Sequence, residues 1–450
     1  MTVSRTICLG FLAVILAGTL LLMLPISTQD GSWSNWVTAL FTSTSSVCVT
    51  GLSVVDIGKY YSFWGQLFLV CLVQIGGLGY MTATTFLLLI LGRKFGLKEK
   101  IAIQQSLDKQ GLAGVVQLVQ SIIATTLLFE LTGMFLLMLV FVPKFGFYGG
   151  LWQSIFHSVN SFNNAGFSLF SDNLIGYVKS PLVNLVVPGL IIFGGIGYEV
   201  IMNMYLWGRD RFKRSSACVV FPLNYKIATR TTLALLILGT LVFLVMEFNN
   251  PETFGPLSFG HKLMAAWFQS VSPRTAGFNT IDIGKMTSGG LFFTIVLMFV
   301  GASPGGTGGG IKTTTFIVLG SCTQAVLRGK DEVQCFQRQI PISLILKAIA
   351  VFFGSLMVVI ISTTLISLTD PGYNLNSPDD FLQILFEVVS AFATVGLSTG
   401  ITAKLSVAGK LIIIATMYIG RVGILLLMGA VLGDPKPTSV KYPEENLLVG

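Results

Sequence analysis

Four segments of this chain carry one short pattern at nearly constant spacing, and that repetition limits the fold more than any other feature. The segments read FTSTSSVCVTGLS, FHSVNSFNNAGFS, WFQSVSPRTAGFN and FEVVSAFATVGLS. Their shared glycines are Gly51, Gly166, Gly277 and Gly396, separated by 115, 111 and 119 residues. Ten residues before each stands an aromatic: Phe41, Phe156, Trp267 or Phe386. Five before it stands Ser46, Ser161, Ser272 or Ala391. A fixed period of this kind marks one structural unit used four times.

Each unit parses alike. An apolar run of spanning length comes first, at 7–25, 119–142, 227–247 and 343–366. A shorter apolar stretch follows, at 35–47, 150–161, 259–271 and 379–391. The glycine comes next, and a second long run closes the unit, at 64–91, 183–207, 289–320 and 407–431. The short stretches cannot cross a bilayer as helices. Two crossings per unit predict an all-α polytopic membrane protein with eight spans. The repeats cover 1–92, 118–208, 226–320 and 342–432, with a cytoplasmic tail at 433–450. Only 11% of residues are charged, against roughly 25% in a soluble protein. No A-x-A-like site follows 7–25, so that run is expected to be a retained helix.

The net charge of +8 is concentrated in alternate connections. Arg93, Lys94, Lys98, Lys100 and Lys109 form one cluster, Arg209, Arg211, Lys213 and Arg214 a second, and Arg328, Lys330 and Arg338 a third. Lys436 and Lys441 lie in the tail. Such clusters stay in the cytoplasm, which puts both termini there and the protein in the bacterial inner or plasma membrane, among lipids. No basic face alternates with stacking aromatics, so nucleic acid is not an expected partner. The six cysteines form no C-x-x-C pair, and His157 and His261 lack metal-ligand spacing; both histidines are read as structural.

The short stretches must enter the membrane and turn back. Irregular backbone at that depth is tolerated only in protein or beside a water-filled path. Four such loops imply a shared polar axis, with pore-helix C-termini favouring a cation. Backbone carbonyls can replace a cation's water shell, and glycine allows the dihedrals this needs. Thr394-Val395-Gly396-Leu397 resembles the core of potassium-channel filters. Val49-Thr50-Gly51-Leu52, Asn164-Ala165-Gly166-Phe167 and Thr275-Ala276-Gly277-Phe278 are looser versions. Four nonidentical loops in one chain resemble the Trk/Ktr/HKT superfamily of potassium transporters, over nearly the whole chain. The resemblance implies four helix–pore loop–helix repeats in a pseudo-fourfold arrangement around a central ion pore, with K+ bound at these sixteen residues through backbone carbonyls. In that superfamily, glycine in all four loops goes with K+ selectivity, and serine in the first with Na+ permeation. Only Thr275 and Thr394 offer a hydroxyl two residues before the glycine, which suggests an asymmetric innermost site.

A second position repeats. Ile75-Gly76-Gly77-Leu78-Gly79 answers to Phe193-Gly194-Gly195-Ile196-Gly197 and to Ile419-Gly420-Arg421-Val422-Gly423. The third repeat instead has Gly301, Ala302, Ser303, Pro304, Gly305, Gly306, Thr307, Gly308, Gly309 and Gly310. Each glycine costs a helix about 1 kcal/mol and proline about 3 kcal/mol, so helix is expected to break in this repeat alone. Arg421 stands where two repeats have glycine. An arginine at membrane depth costs about 2.5–3.5 kcal/mol and faces a partner or a water-filled cavity. The resemblance implies that 301–310 and Arg421 form a gate below the filter; a structural pairing of Arg421 with a carbonyl or with Glu199 is compatible with it.

The run GGTGGGIK from Gly305 to Lys312 suggests a phosphate-binding loop, but Ile311 intrudes before the lysine and no soluble strand precedes it. An enzyme and an organic cofactor are not expected. A proton- or sodium-coupled symporter of the Trk type, or a Na+-permeable relative, is the alternative; Glu130 and Glu199 are few for a proton relay. With only eight spans the chain looks most like the membrane subunit of Ktr systems. That likeness implies a homodimer, a cytoplasmic nucleotide-binding regulatory ring of the RCK type, and Na+ as an activator without an identifiable site.

Overall fold

The computed structural model describes residues 3–79, 115–212, 221–330, 332–370 and 378–432. Arg93, Lys94, Lys98, Lys100, Lys109, Lys213, Arg214, Lys436, Lys441, Cys218, the end of the first repeat and the tail at 433–450 lie outside them.

The first repeat contains α1 (Val3–Met23), α2 (Trp36–Val47) and α3 (Phe63–Leu78). In the second, α4 (Val115–Phe162) joins the span to the pore helix, with a break at Gly146 (φ 73°). Then come α5 (Pro181–Ile196) and α6 (Tyr198–Phe212). The third has α7 (Leu223–Glu247), α8 (Phe259–Val271), α9 (Ser288–Phe299) and α10 (Thr313–Leu327). A hairpin of β1 (Gln334–Cys335) and β2 (Arg338–Gln339) leads to α11 (Ile342–Thr369), α12 (Pro378–Phe392), α13 (Val407–Val422) and α14 (Ile424–Leu432). Four described helices are long and apolar enough to span a membrane, and two bent pairs raise this to six; α3, α9 and α10 are shorter apolar helices. The chain is thus an all-α polytopic membrane protein.

Local chemistry fixes where the closing helices begin. Each starts on a hydroxyl N-cap that accepts an otherwise unpaired amide: Ser62 from Gly65, Ser180 from Val183, Thr287 from Gly290 and Ser406 from Gly409. Two of these caps are held by buried carboxylates at the ends of the preceding spans. Glu247 accepts from the Thr287 amide at 2.9 Å and hydroxyl at 2.7 Å. Asp370 does the same for Ser406, at 2.6 and 3.0 Å.

The closing helices stop earlier than the sequence suggests, and the expectation of a break in the third repeat alone is corrected. α5 and α6 meet at 103°, and α13 and α14 at 97°. The hinges are Gly197 (φ 98°) and Gly423 (φ 85°), and α3 likewise ends on Gly79 (φ 79°). A left-handed glycine ends a helix at little cost, and the last glycine of each repeated motif takes that conformation. In the third repeat the chain leaves α9 at Val300 and pairs Val300 with Ile311 in a parallel bridge before α10 begins.

The glycine just before these ends serves packing. A Cβ on Gly76 would enter the Val47 carbonyl, one on Gly194 the Phe162 carbonyl, and one on Gly420 the Phe392 carbonyl. The closing helix therefore lies directly on the end of its own repeat's pore helix. Gly194→Ala should destabilise the protein by about 1–3 kcal/mol through overpacking. Gly189→Ala, on the same helix with nothing within 4 Å, should be neutral or slightly stabilising. Melting curves of the two purified variants in detergent check this; equal melting temperatures would contradict the packing role.

Candidate functional site

The four repeated glycines come together in a closed ring. A Cβ on Gly51 would enter the carbonyl of Ala165, and one on Gly166 that of Ala276. One on Gly277 would enter the carbonyl of Val395, and one on Gly396 returns to that of Thr50. Each glycine thus leaves room for the carbonyl oxygen of the next loop, and the fourth loop closes on the first.

The amides of these loops are bonded to the helices behind them. Thr50 N–H donates to Ser45 O, Ala165 N–H to Asn160 O and Val395 N–H to Ser390 O, each at 2.8 Å. One residue earlier, Val49, Asn164 and Thr394 donate to Ser46, Ser161 and Ala391 at 3.1–3.2 Å. Ser45 and Ser390 hydroxyls accept the amides of Gly51 and Gly396 at 3.1 Å. The third loop is tighter by one residue: Ala276 N–H donates to Ser272 O at 2.9 Å. Among the described residues no donor reaches the carbonyls of Thr50, Ala165, Ala276 or Val395. These residues are fully buried, and buried carbonyls are nearly always paired. Four such oxygens between adjacent loops are a ligand set suited to a desolvated cation.

The backbone reaches this state through two left-handed residues per loop. Besides the glycines, Val49 (φ 56°), Asn164 (φ 59°), Thr275 (φ 72°) and Thr394 (φ 51°) have positive φ. Asparagine tolerates this; valine and threonine are strained there, by about 1–3 kcal/mol each. The same strained register in all four repeats indicates that the carbonyl orientation outweighs the local cost. Asn164 is also not the blank that the hydroxyl pattern implied. Its amide meets the Thr275 hydroxyl at 3.3 Å, across adjacent loops. With that amide donating to the Ile191 and Ser161 carbonyls, the Thr275 hydroxyl donates to Asn164 Oδ1.

The 301–310 segment lies directly against the ring. Gly308 abuts the Thr275 hydroxyl and Gly309 that of Thr394, where a Cβ would clash. Ser303 N–H donates to Gly195 O at 3.0 Å and Thr307 N–H to Gly194 O at 3.1 Å. Tyr198 N–H, at the start of α6, donates to Gly305 O at 3.2 Å. Gly301, Ala302, Ser303, Thr307, Gly308 and Gly309 are buried, while Pro304, Gly305, Gly306 and Gly310 are more open. Arg421 bridges two elements: its guanidinium donates to Thr307 O in the segment and to Gly76 O at the end of α3. Lys312, which the sequence offered only as a failed phosphate-loop lysine, donates to Gly308 O at 2.7 Å. Two cations therefore grip consecutive carbonyls of the segment.

His157 is held by Gln153 O at 2.8 Å and by the Ser168 hydroxyl at 3.0 Å, beside the second loop. Glu387 stands at the same offset before Gly396 and accepts from the hydroxyls of Ser398 and Thr402. Sequence reasoning missed Glu387, although the shared nine-residue offset would have found it. Phe41, Phe156 and Phe386 are fully buried. Among the described residues the cysteines are free, and no group of three or more His, Cys, Asp or Glu could hold a metal ion.

Comparison with known proteins agrees with this architecture. The chain is 41% identical over 449 residues to Ktr system potassium uptake protein B of Bacillus subtilis, covering 100% of this chain and 97% of that protein. It is 40% identical to the protein of the same name from Vibrio alginolyticus, covering 99% and 94%. It is 36% identical to potassium/sodium uptake protein NtpJ of Enterococcus hirae, covering 99% and 97%. The crystal structure of the potassium transporter TrkH from Vibrio parahaemolyticus shares the fold, with a TM-score of 0.70 at 17% identity, over 95% of this chain and 85% of that one. The TrkH family, described as cation transport protein, matches residues 4–439. The chain belongs to the TrkH family of cation transport proteins and is not an enzyme.

Proposed function

We propose that this protein takes up K+ across the cell membrane, as the membrane subunit of a Ktr-type complex. The observation that carries the reading is the closed ring of carbonyls left without donors, set by four glycines that each make room for the next loop. K+ sheds its water and is held by the carbonyls of Val49, Thr50, Gly51 and Leu52 and of their counterparts in the other three loops. Na+ is smaller, so carbonyls fixed by a stiff frame compensate its water shell less well. The relatives named for potassium uptake support the choice of ion. The relative named for potassium and sodium makes Na+ the co-ion to test as an activator.

Residues 301–310 and Arg421 form the gate. The segment blocks the inner end of the ring, and the Arg421 charge opposes a cation leaving it. Both termini and the basic connections face the cytoplasm. A homodimer docked on a nucleotide-binding regulatory ring would control the gate, as the relatives' description as parts of a Ktr system suggests.

Two variants test the assignment. Gly51→Ser should reduce the ratio of K+ to Na+ flux in proteoliposomes by about tenfold, equivalent to roughly 1.4 kcal/mol. The serine Cβ must displace the Ala165 carbonyl, whereas the other three contacts persist. An unchanged ratio would remove Gly51 from the filter. Arg421→Ala should raise K+ flux several-fold with little change in that ratio, since it frees Thr307 without touching the ring. Wild-type flux from a monodisperse Arg421→Ala preparation would defeat the gate.

A further inference from the structure

Glu130 is a buried carboxyl group in the middle of a span that neither the ring nor the gate uses. Three of the first spans carry a glycine facing their pore helix: Gly18 against Ser43, Gly133 against Ser158 and Gly239 against Ser270. Three residues earlier stand Ile15, Glu130 and Leu236. These occupy one place in the fold. The Ile15 carbonyl accepts from the Ser43 hydroxyl at 2.7 Å, that of Glu130 from Ser158 at 2.6 Å, and that of Leu236 from Ser270 at 2.8 Å. Packing there is met by an apolar side chain in the first and third repeats. Of these three, the second alone has a carboxyl group, buried within the span, where such a group is costly unless it is hydrogen-bonded.

Its partner is equally singular. Asn163 lies three residues before Gly166, where the other repeats have Cys48, Arg274 and Ala393. Asn163 Nδ2 lies 2.9 Å from Glu130 Oε1, 2.8 Å from Gln74 Oε1 and 2.9 Å from Val159 O. Gly77 makes room for it, since a Cβ there would meet the Asn163 side chain. The network thus ties α3 and the span of α4 to the residue immediately before Asn164, where the second loop turns left-handed.

We propose that Glu130 is a positioning residue for the second loop. Through Asn163 it fixes the turn at Asn164, and so sets how sharply that quarter of the ring distinguishes K+ from Na+. This rests on reading the four loops as the ion filter. Glu130 touches no ion; it acts through the hydrogen bond that its Oε1 accepts. Glutamine keeps that acceptor and isoleucine, the residue of the first repeat, removes it.

The test is the K+ to Na+ flux ratio in proteoliposomes for Glu130→Ile, Glu130→Gln, Asn163→Ala and the Glu130→Ile/Asn163→Ala pair, beside Gly51→Ser. Glu130→Ile should lower the ratio about tenfold, Glu130→Gln should stay within about threefold of wild type, and the pair should be no worse than either single change. A merely structural carboxyl group would change the melting temperature on replacement and leave the ratio at its wild-type value. A wild-type ratio for folded Glu130→Ile, equal losses for isoleucine and glutamine, or additive effects in the pair would each overturn the proposal. If Glu130→Ile does not fold, Asn163→Ala removes the donor of that hydrogen bond and should lower the ratio to the same extent; a wild-type ratio for folded Asn163→Ala would overturn the proposal. If Gly51→Ser also leaves the ratio unchanged, the filter reading itself has failed; if only Gly51→Ser lowers it, the role of Glu130 alone is wrong.

Discussion

The structure depends on how the backbone hydrogen bonds of four short loops are divided. Each loop gives its amides to the pore helix behind it, which leaves the carbonyls of Thr50, Ala165, Ala276 and Val395 without donors among the described residues. That division requires two left-handed residues per loop, and the glycine between neighbours must lack a side chain. The pore helices, the spans that hold them and the closing helices that press on their ends all serve to keep the carbonyls in place. A ring with this frame cannot relax one loop without moving the next, because each carbonyl fills the space beside its neighbour's glycine.

Fourfold repetition supplies the frame, and the third and fourth repeats depart from it at one place. The third repeat contributes a segment without helix that lies against the hydroxyls of Thr275 and Thr394. The fourth contributes Arg421 at a position that is glycine in two others, and its guanidinium joins that segment to α3. Lys312 grips the adjacent carbonyl. Hinges at Gly197 and Gly423 lie within a few residues of these contacts. α6 touches the segment through Tyr198, and α14 begins directly after the Gly423 hinge that follows Arg421. Movement of either helix would therefore be felt at the segment.

Much of this was legible in the sequence. The period of the glycines gave the number of units, the lengths of the apolar runs separated spans from pore helices, and proline with clustered glycine marked the broken third repeat. Three features were not legible, for physical reasons. Valine and threonine disfavour positive φ, so nothing local marks Val49, Thr275 and Thr394 as left-handed; the surrounding hydrogen bonds impose it. Gly197 and Gly423 close glycine-containing motifs within long apolar stretches, and a glycine costs a helix only about 1 kcal/mol, too little to say where it ends. Lys312 read as a failed nucleotide motif, because its true acceptor is a carbonyl made available only by the folded segment.

The most direct measurement is the position of a heavy K+ substitute in the protein. Crystals grown with Tl+ or Rb+ and measured at the anomalous edge should show ions on the axis of the ring, level with the carbonyls of Thr50, Ala165, Ala276 and Val395. Anomalous density confined to other parts of the protein, with this ring empty, would contradict the account.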